Sequence, residues 1–129
     1  MSETIVLAIN VGVPNGPTMS INQTIVVDAY DKFDVVVPDS PTGPTTVNIQ
    51  LLPSKTGAVK FLMVSSDLYD EKLSYKINSA STVYMLDGPH LLIGGGAVSL
   101  LNSVPEKLVL TNGTGKNAQV RILIGRKAA

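Results

Sequence analysis

Cysteine and tryptophan are both absent from this 129-residue chain, and there is a single histidine. Without cysteine there is no disulfide, no thiolate metal ligand and no cysteine nucleophile. One histidine, His90, cannot supply the two or three imidazoles of a cupin-type metal centre. Charge is scarce as well. Ten basic and ten acidic residues cancel, and charged residues make up 16% of the chain, against about 25% in an ordinary domain. Zero net charge gives no general attraction to nucleic acid or to an anionic membrane. Aromatic residues are 5%, too few for the stacking platforms that single-stranded nucleic acids or sugar rings require. The longest strongly apolar run, Leu91 to Leu101, contains three glycines and is too short to span a bilayer. The opening segment has Glu3 and no basic n-region, so the reading is synthesis in the cytoplasm without secretion.

Apolar residues in alternation are what the chain has instead. Ile5, Leu7, Ile9, Val11 and Val13 alternate, as do Ile21, Gln23, Ile25 and Val27. The same period recurs at Phe33, Val35 and Val37; Val47, Ile49 and Leu51; Val59, Phe61 and Met63; Leu73, Tyr75 and Ile77; Val83 and Met85; Leu108 and Leu110; and Val120, Ile122 and Ile124. Period two over short runs means half-buried strands. Turn residues separate them: PNGP at 14–17, PDSPTGP at 38–44, PSKTG at 53–57, DGP at 87–89 and NGTGKN at 112–117. The expectation is one all-β domain over 1–129, an antiparallel two-sheet sandwich of jelly-roll type with about nine or ten strands. Helix is expected in under about a tenth of the chain. Only Ser66–Lys72, as one turn or a loop, and Ala97–Asn102, as helix or strand, leave room for it.

Each motif that hints at chemistry has a plainer reading. A phosphate-binding loop needs glycine five residues before the glycine of Gly-Lys, then serine or threonine. Around GTGK those positions are Leu110 and Asn117, and the following residues alternate as a strand. A glycine-rich hairpin loop is the expectation, with positive φ at Asn112, Gly113 and Gly115. The glycines of IGGGAV at 93–98 lack dinucleotide-binding spacing. They are read first as a bend, then as a subunit contact, and last as a segment that touches a membrane. His90 follows Pro89 and is read as a surface or loop histidine. No G-x-S-x-G elbow accompanies it. Asp28, Asp31 and Asp34 do not follow the spacing of a calcium loop, and Tyr30–Lys32 is read as a hairpin turn between them. The acidic stretch 28–39 and the mildly basic C-terminus suggest head-to-tail contacts between copies.

The stretches IQLLPSKTGAVKFLMVSSD, LSYKIN and LVLTNGTGKNAQVRILIGRKA resemble small all-β accessory and structural proteins of bacteriophages and environmental viral genomes. The shared features are a strand ending LTN, a glycine loop and a last strand that finishes the chain. The resemblance implies a β-sandwich with a structural or assembly role and other virion proteins as partners. It carries no site residues across.

The functional expectation is a non-enzymatic protein that forms homo-oligomers, with no catalytic residue, no cofactor and no metal. Strands apolar on both faces need cover on both, and a two-layer sandwich offers only one. Leu62, Val64, Leu92, Ile93 and Leu123 are therefore the candidate subunit contacts, with Val6, Ala8 and Val36 also facing away from the core. The rival is a sandwich that binds a sugar or small molecule in a tyrosine-lined groove. A cupin-like or hydrolase enzyme is a third reading, opposed by the single histidine.

Overall fold

The computed structural model describes residues 3–39, 41–51, 58–78, 80–101 and 105–127. These form ten strands: β1 (Glu3–Gly12), β2 (Thr18–Val27), β3 (Ala29–Val37), β4 (Thr45–Gln50), β5 (Ala58–Ser66), β6 (Leu73–Ile77), β7 (Tyr84–Met85), β8 (His90–Ile93), β9 (Lys107–Asn112) and β10 (Ala118–Lys127). One short helix, α1 (Gly95–Val98), and a 3-10 turn at Ser99–Leu101 are the helical part. The expected turn at PSKTG, 53–57, lies outside the described residues, as does Asn102. Ser66–Lys72 takes the loop alternative. Its backbone is held by Ser66 Oγ, which accepts from Leu68 N–H, and by Asp70 Oδ1, which accepts from Lys72 N–H.

Eight strands build two four-stranded antiparallel sheets that pack as a sandwich. One has the order β3-β10-β5-β8 and the other β4-β9-β6-β7. From β3 onward the chain changes sheet at every connection except β6 to β7. Apart from the β6–β7 pair, the strands of the sandwich therefore pair with strands that do not adjoin them in sequence. This overturns two local expectations. Tyr30–Lys32 is continuous strand, not a turn, and the break falls at Asp28, whose N–H donates to the Arg126 carbonyl. The loop 112–117 joins strands of different sheets, so it is not a hairpin. Of its glycines, Gly115 has positive φ, 81°.

Between the sheets lies the main core. β10 contributes Val120, Ile122 and Ile124, β5 contributes Leu62 and Val64, and the second sheet contributes Ile49, Leu73, Tyr75, Ile77, Leu108 and Leu110. Each large side chain removed from water here contributes about 1.5–3 kcal/mol. Register explains why Leu62 and Val64 point inward. Ile122 pairs with Val64 and Ile124 with Leu62, and directly opposed residues share a face. Their expected place on the outward face is thus corrected: they are 1% and 0% exposed.

The alternate residues of β5 are covered too, by the chain itself. Phe61 lies in a second cluster with Leu7, Ile25 and Val27, against which Ile5, Met63, Leu91, Ile93 and Leu123 pack. The β1–β2 hairpin is therefore a third layer on the outer face of the β3-β10-β5-β8 sheet. Gly125 permits the approach. A Cβ there would stand 2.8 Å from Ile5 Cδ1 and 3.1 Å from Val27 Cγ1.

Candidate interaction surface

From Thr4 to Val27 there is no charged residue and no histidine. This whole stretch is the β1–β2 ribbon and its tip. The two strands pair in register from Glu3–Val27 to Gly12–Thr18. Asn15 takes positive φ, 60°, in the tip, and Gly16 N–H donates to the Val13 carbonyl over 2.8 Å. Odd-numbered residues share one face: Ile5, Leu7, Ile9 and Val11 opposite Ile25, Gln23, Ile21 and Met19. Even-numbered residues, including Thr4, Asn10, Thr18, Ser20, Asn22 and Thr24, form the other.

Only the half nearest the body uses its apolar face. Leu7, Ile25 and Val27 are buried, whereas every residue from Asn10 to Thr24 is exposed. Val11 is 55%, Met19 64% and Ile21 42% exposed, on the same face as the buried residues. The ribbon thus overhangs the sheet and presents an apolar face without support. Its edges are open as well, because among the described residues it has no third strand. Val13 N–H donates to the Pro17 carbonyl over 3.0 Å. The hydrogen-bonded pairs are then the odd ones, and the even residues turn their backbone groups outward. Uncharged open edges are what natural sheets usually avoid.

The five expected contact residues do not form one surface. Leu62 and Val64 lie in the main core, Leu92 packs against it half-buried, and Ile93 and Leu123 are half-buried beneath the ribbon. Val6, Ala8 and Val36 do face outward, Val6 at 75% and Val36 at 56% exposed. The overhang itself was missed by reading alternation alone. The signal in the sequence was the charge-free run, which no other long segment matches.

Two of the basic residues near the C-terminus pair with aspartates of the acidic stretch within one molecule. β3 and β10 are antiparallel neighbours, so Arg126 Nη1 meets Asp31 Oδ2 at 2.7 Å and Arg121 lies 3.6 Å from Asp34. Among the described residues no group of three or more histidine, aspartate or glutamate side chains converges to hold a metal ion.

The GTGK loop turns its donors on itself. Asn112, 1% exposed, donates from Nδ2 to the carbonyls of Val37 and Lys116 and accepts at Oδ1 from Thr114 N–H and Oγ1–H. Lys116 N–H donates to Thr114 Oγ1, and Gly113 N–H to the Lys72 carbonyl. These N–H groups are therefore spent inside the protein rather than presented to a phosphate. IGGGAV bends into α1, with Gly94 at φ 89°.

His90 is not a loop residue. It sits half-buried on β8, with Nδ1 2.6 Å from the Tyr75 hydroxyl across the sandwich. Tyr84 stacks on Tyr75 with centroids 5.5 Å apart, and its hydroxyl donates to the Leu101 carbonyl. Burial pushes the Tyr75 phenol well above its ordinary range, and Tyr84 adds to this. A phenol raised in the folded state contributes stability that is intact below the unfolded pKa of about 10 and is lost as pH climbs above it. Wild-type protein is therefore expected to lose about 1.4 kcal/mol per pH unit above pH 10 from this group. Urea titrations at stepped alkaline pH should show that slope, and Tyr75→Phe should flatten it. An unchanged slope in the variant would assign the alkaline loss elsewhere.

One polar recess, of about 240 Å³, is lined by Ser65, Ser66, Asp67, Tyr69, Gln119 and Arg121. Its backbone is internally tied: Gln119 N–H donates to Asp67 Oδ1 and Ser66 N–H to the Tyr69 hydroxyl. No helix is long and apolar enough to cross a membrane among the described residues. Comparison with known protein families, curated proteins and solved structures found no match.

Proposed function

We propose that this chain is a non-enzymatic structural or assembly protein that forms oligomers, built as a jelly roll and suited to the role of a virion component. The observation that carries the reading is the β1–β2 ribbon: an uncharged, overhanging arm with an exposed apolar face. Contiguous apolar surface of this kind marks an interaction site in a protein otherwise poor in charge. The strand orders β3-β10-β5-β8 and β4-β9-β6-β7 support the jelly-roll reading, since eight strands wound between two sheets in this way are two interleaved Greek keys. The small-molecule rival required a tyrosine-lined groove. Tyr75 and Tyr84 stack on each other instead, and Tyr69 alone of the tyrosines lines the recess.

Light scattering from the micromolar to the low-millimolar range tests the proposal. A mass rising above that of one chain is expected. A one-chain mass at every concentration would overturn it.

A further inference from the structure

We infer that the overhanging half of the ribbon packs face to face on the same half of a second copy about a two-fold axis, through Ile9, Val11, Met19 and Ile21. This rests on the assembly reading above and names its contact and its partner. These four side chains continue, on the same ribbon face, the row that Leu7, Ile25 and Val27 already bury against the chain's own sheet. The face is built to be covered, and its own body covers only the proximal part.

The chemistry of the ribbon selects the occupant. With no charge between Thr4 and Val27, a nucleic acid or a charged peptide finds no counter-ion there. A lipid bilayer is a poor match for a different reason. Outward-turned backbone groups line both ribbon edges, at Val6, Ala8 and Asn10 and at Ser20, Asn22 and Thr24, and such groups cannot be left unpaired in hydrocarbon. Stacking one apolar face on another leaves the edges in water. The surface that matches an uncharged apolar ribbon face is another such face, and identical faces meet most simply about a two-fold axis. Nor does any like charge oppose the pairing.

Size sets the strength. The four paired rows of overhang, Ile9–Ile21 to Gly12–Thr18, at about 3.3 Å each make a ribbon roughly 13 Å long. With two strands about 4.8 Å apart and their side chains, the contact is far below the roughly 800 Å² per partner of a standard stable interface. The contact therefore holds copies that are already concentrated, as within a larger assembly, and shows in isolation only at high concentration.

The absence of cysteine makes the test clean, because one introduced thiol is the only thiol. Full-length Val11→Cys and Asn22→Cys proteins are treated with a short bismaleimide at high micromolar concentration. Val11 lies on the apolar face and Asn22 on the opposite face, and both are exposed. Val11→Cys is expected to form crosslinked dimer at least tenfold faster. Adding Ile21→Lys to it should bring the rate down to that of Asn22→Cys while the melting curve is unchanged, since Ile21 is exposed. Equal rates for the two single variants, or a faster Asn22→Cys, would overturn the face-to-face contact. So would co-flotation of wild-type protein with phosphatidylcholine vesicles that Ile21→Lys abolishes. If light scattering shows oligomers while Val11→Cys does not crosslink preferentially, this contact fails and the assembly reading stands. If light scattering shows one chain throughout, the assembly reading fails with it.

Discussion

Leu62→Lys is expected to unfold the protein. Leu62 is 1% exposed and opposed by Ile124 on one side and Leu92 on the other, all facing the second sheet. Truncation to Ala at such a site costs about 2–5 kcal/mol. Lysine adds an ammonium that must be desolvated or deprotonated, with no acidic partner among the residues opposed to it. The total stability of a domain is about 5–15 kcal/mol, so the lysine variant consumes most of it. Circular dichroism should show loss of the cooperative thermal transition, and Leu62→Ala should remain folded with a urea midpoint lowered by an amount equivalent to about 2–5 kcal/mol. A Leu62→Lys protein that melts like wild type would mean that this face of β5 is not in the core. Ile21→Lys on the overhang is the contrast, because its side chain is already in water.

Asn112→Ala should cost about 2–4 kcal/mol, an unusual amount for one polar side chain in a loop-proximal position. The amide joins two separate pieces of backbone by three hydrogen bonds: the end of β3 through the Val37 carbonyl, and the loop through the Lys116 carbonyl and the Thr114 N–H. Alanine leaves the Val37 carbonyl and the Thr114 N–H without this partner, and each buried group left unsatisfied costs about 1–3 kcal/mol. Because β3 and β10 are neighbours in one sheet and β9 lies in the other, the damage should spread to both. Hydrogen exchange should show faster amides at the start of β10 and the end of β3. If the variant melts within about 1 °C of wild type, water replaces the amide and the loop does not lock the two sheets.

The residues that were legible locally are those whose environment is set by their neighbours in sequence. Alternation at Val120, Ile122 and Ile124, or at Leu73, Tyr75 and Ile77, establishes a strand and a shared face because side chains on a pleated backbone point to opposite sides by turns. That GTGK lacks the pattern of a phosphate-binding loop was legible for a similar reason, since that motif is a matter of spacing. Strand number, the small helical content and the sandwich class follow from such local signals. For β5 they do not suffice. Phe61, Leu62, Met63 and Val64 are apolar in succession, so alternation cannot say which pair faces which layer. That choice was made by register with β10 and β8, and by the hairpin that covers Phe61 and Met63.

The same long-range pairing decided what the charges and the histidine do. Asp31 and Arg126 are distant in the chain and meet because β3 and β10 are neighbours, and His90 reaches Tyr75 across the two sheets. The ribbon divides between the two levels. Its lack of charge and its alternation belong to the sequence alone. That its apolar face is covered near Leu7 and bare at Val11 and Met19 is a tertiary fact: strand length is a local property, whereas the extent of the sheet beneath it depends on where β10, β5 and β8 end, and those limits are set by pairing between residues far apart in the chain.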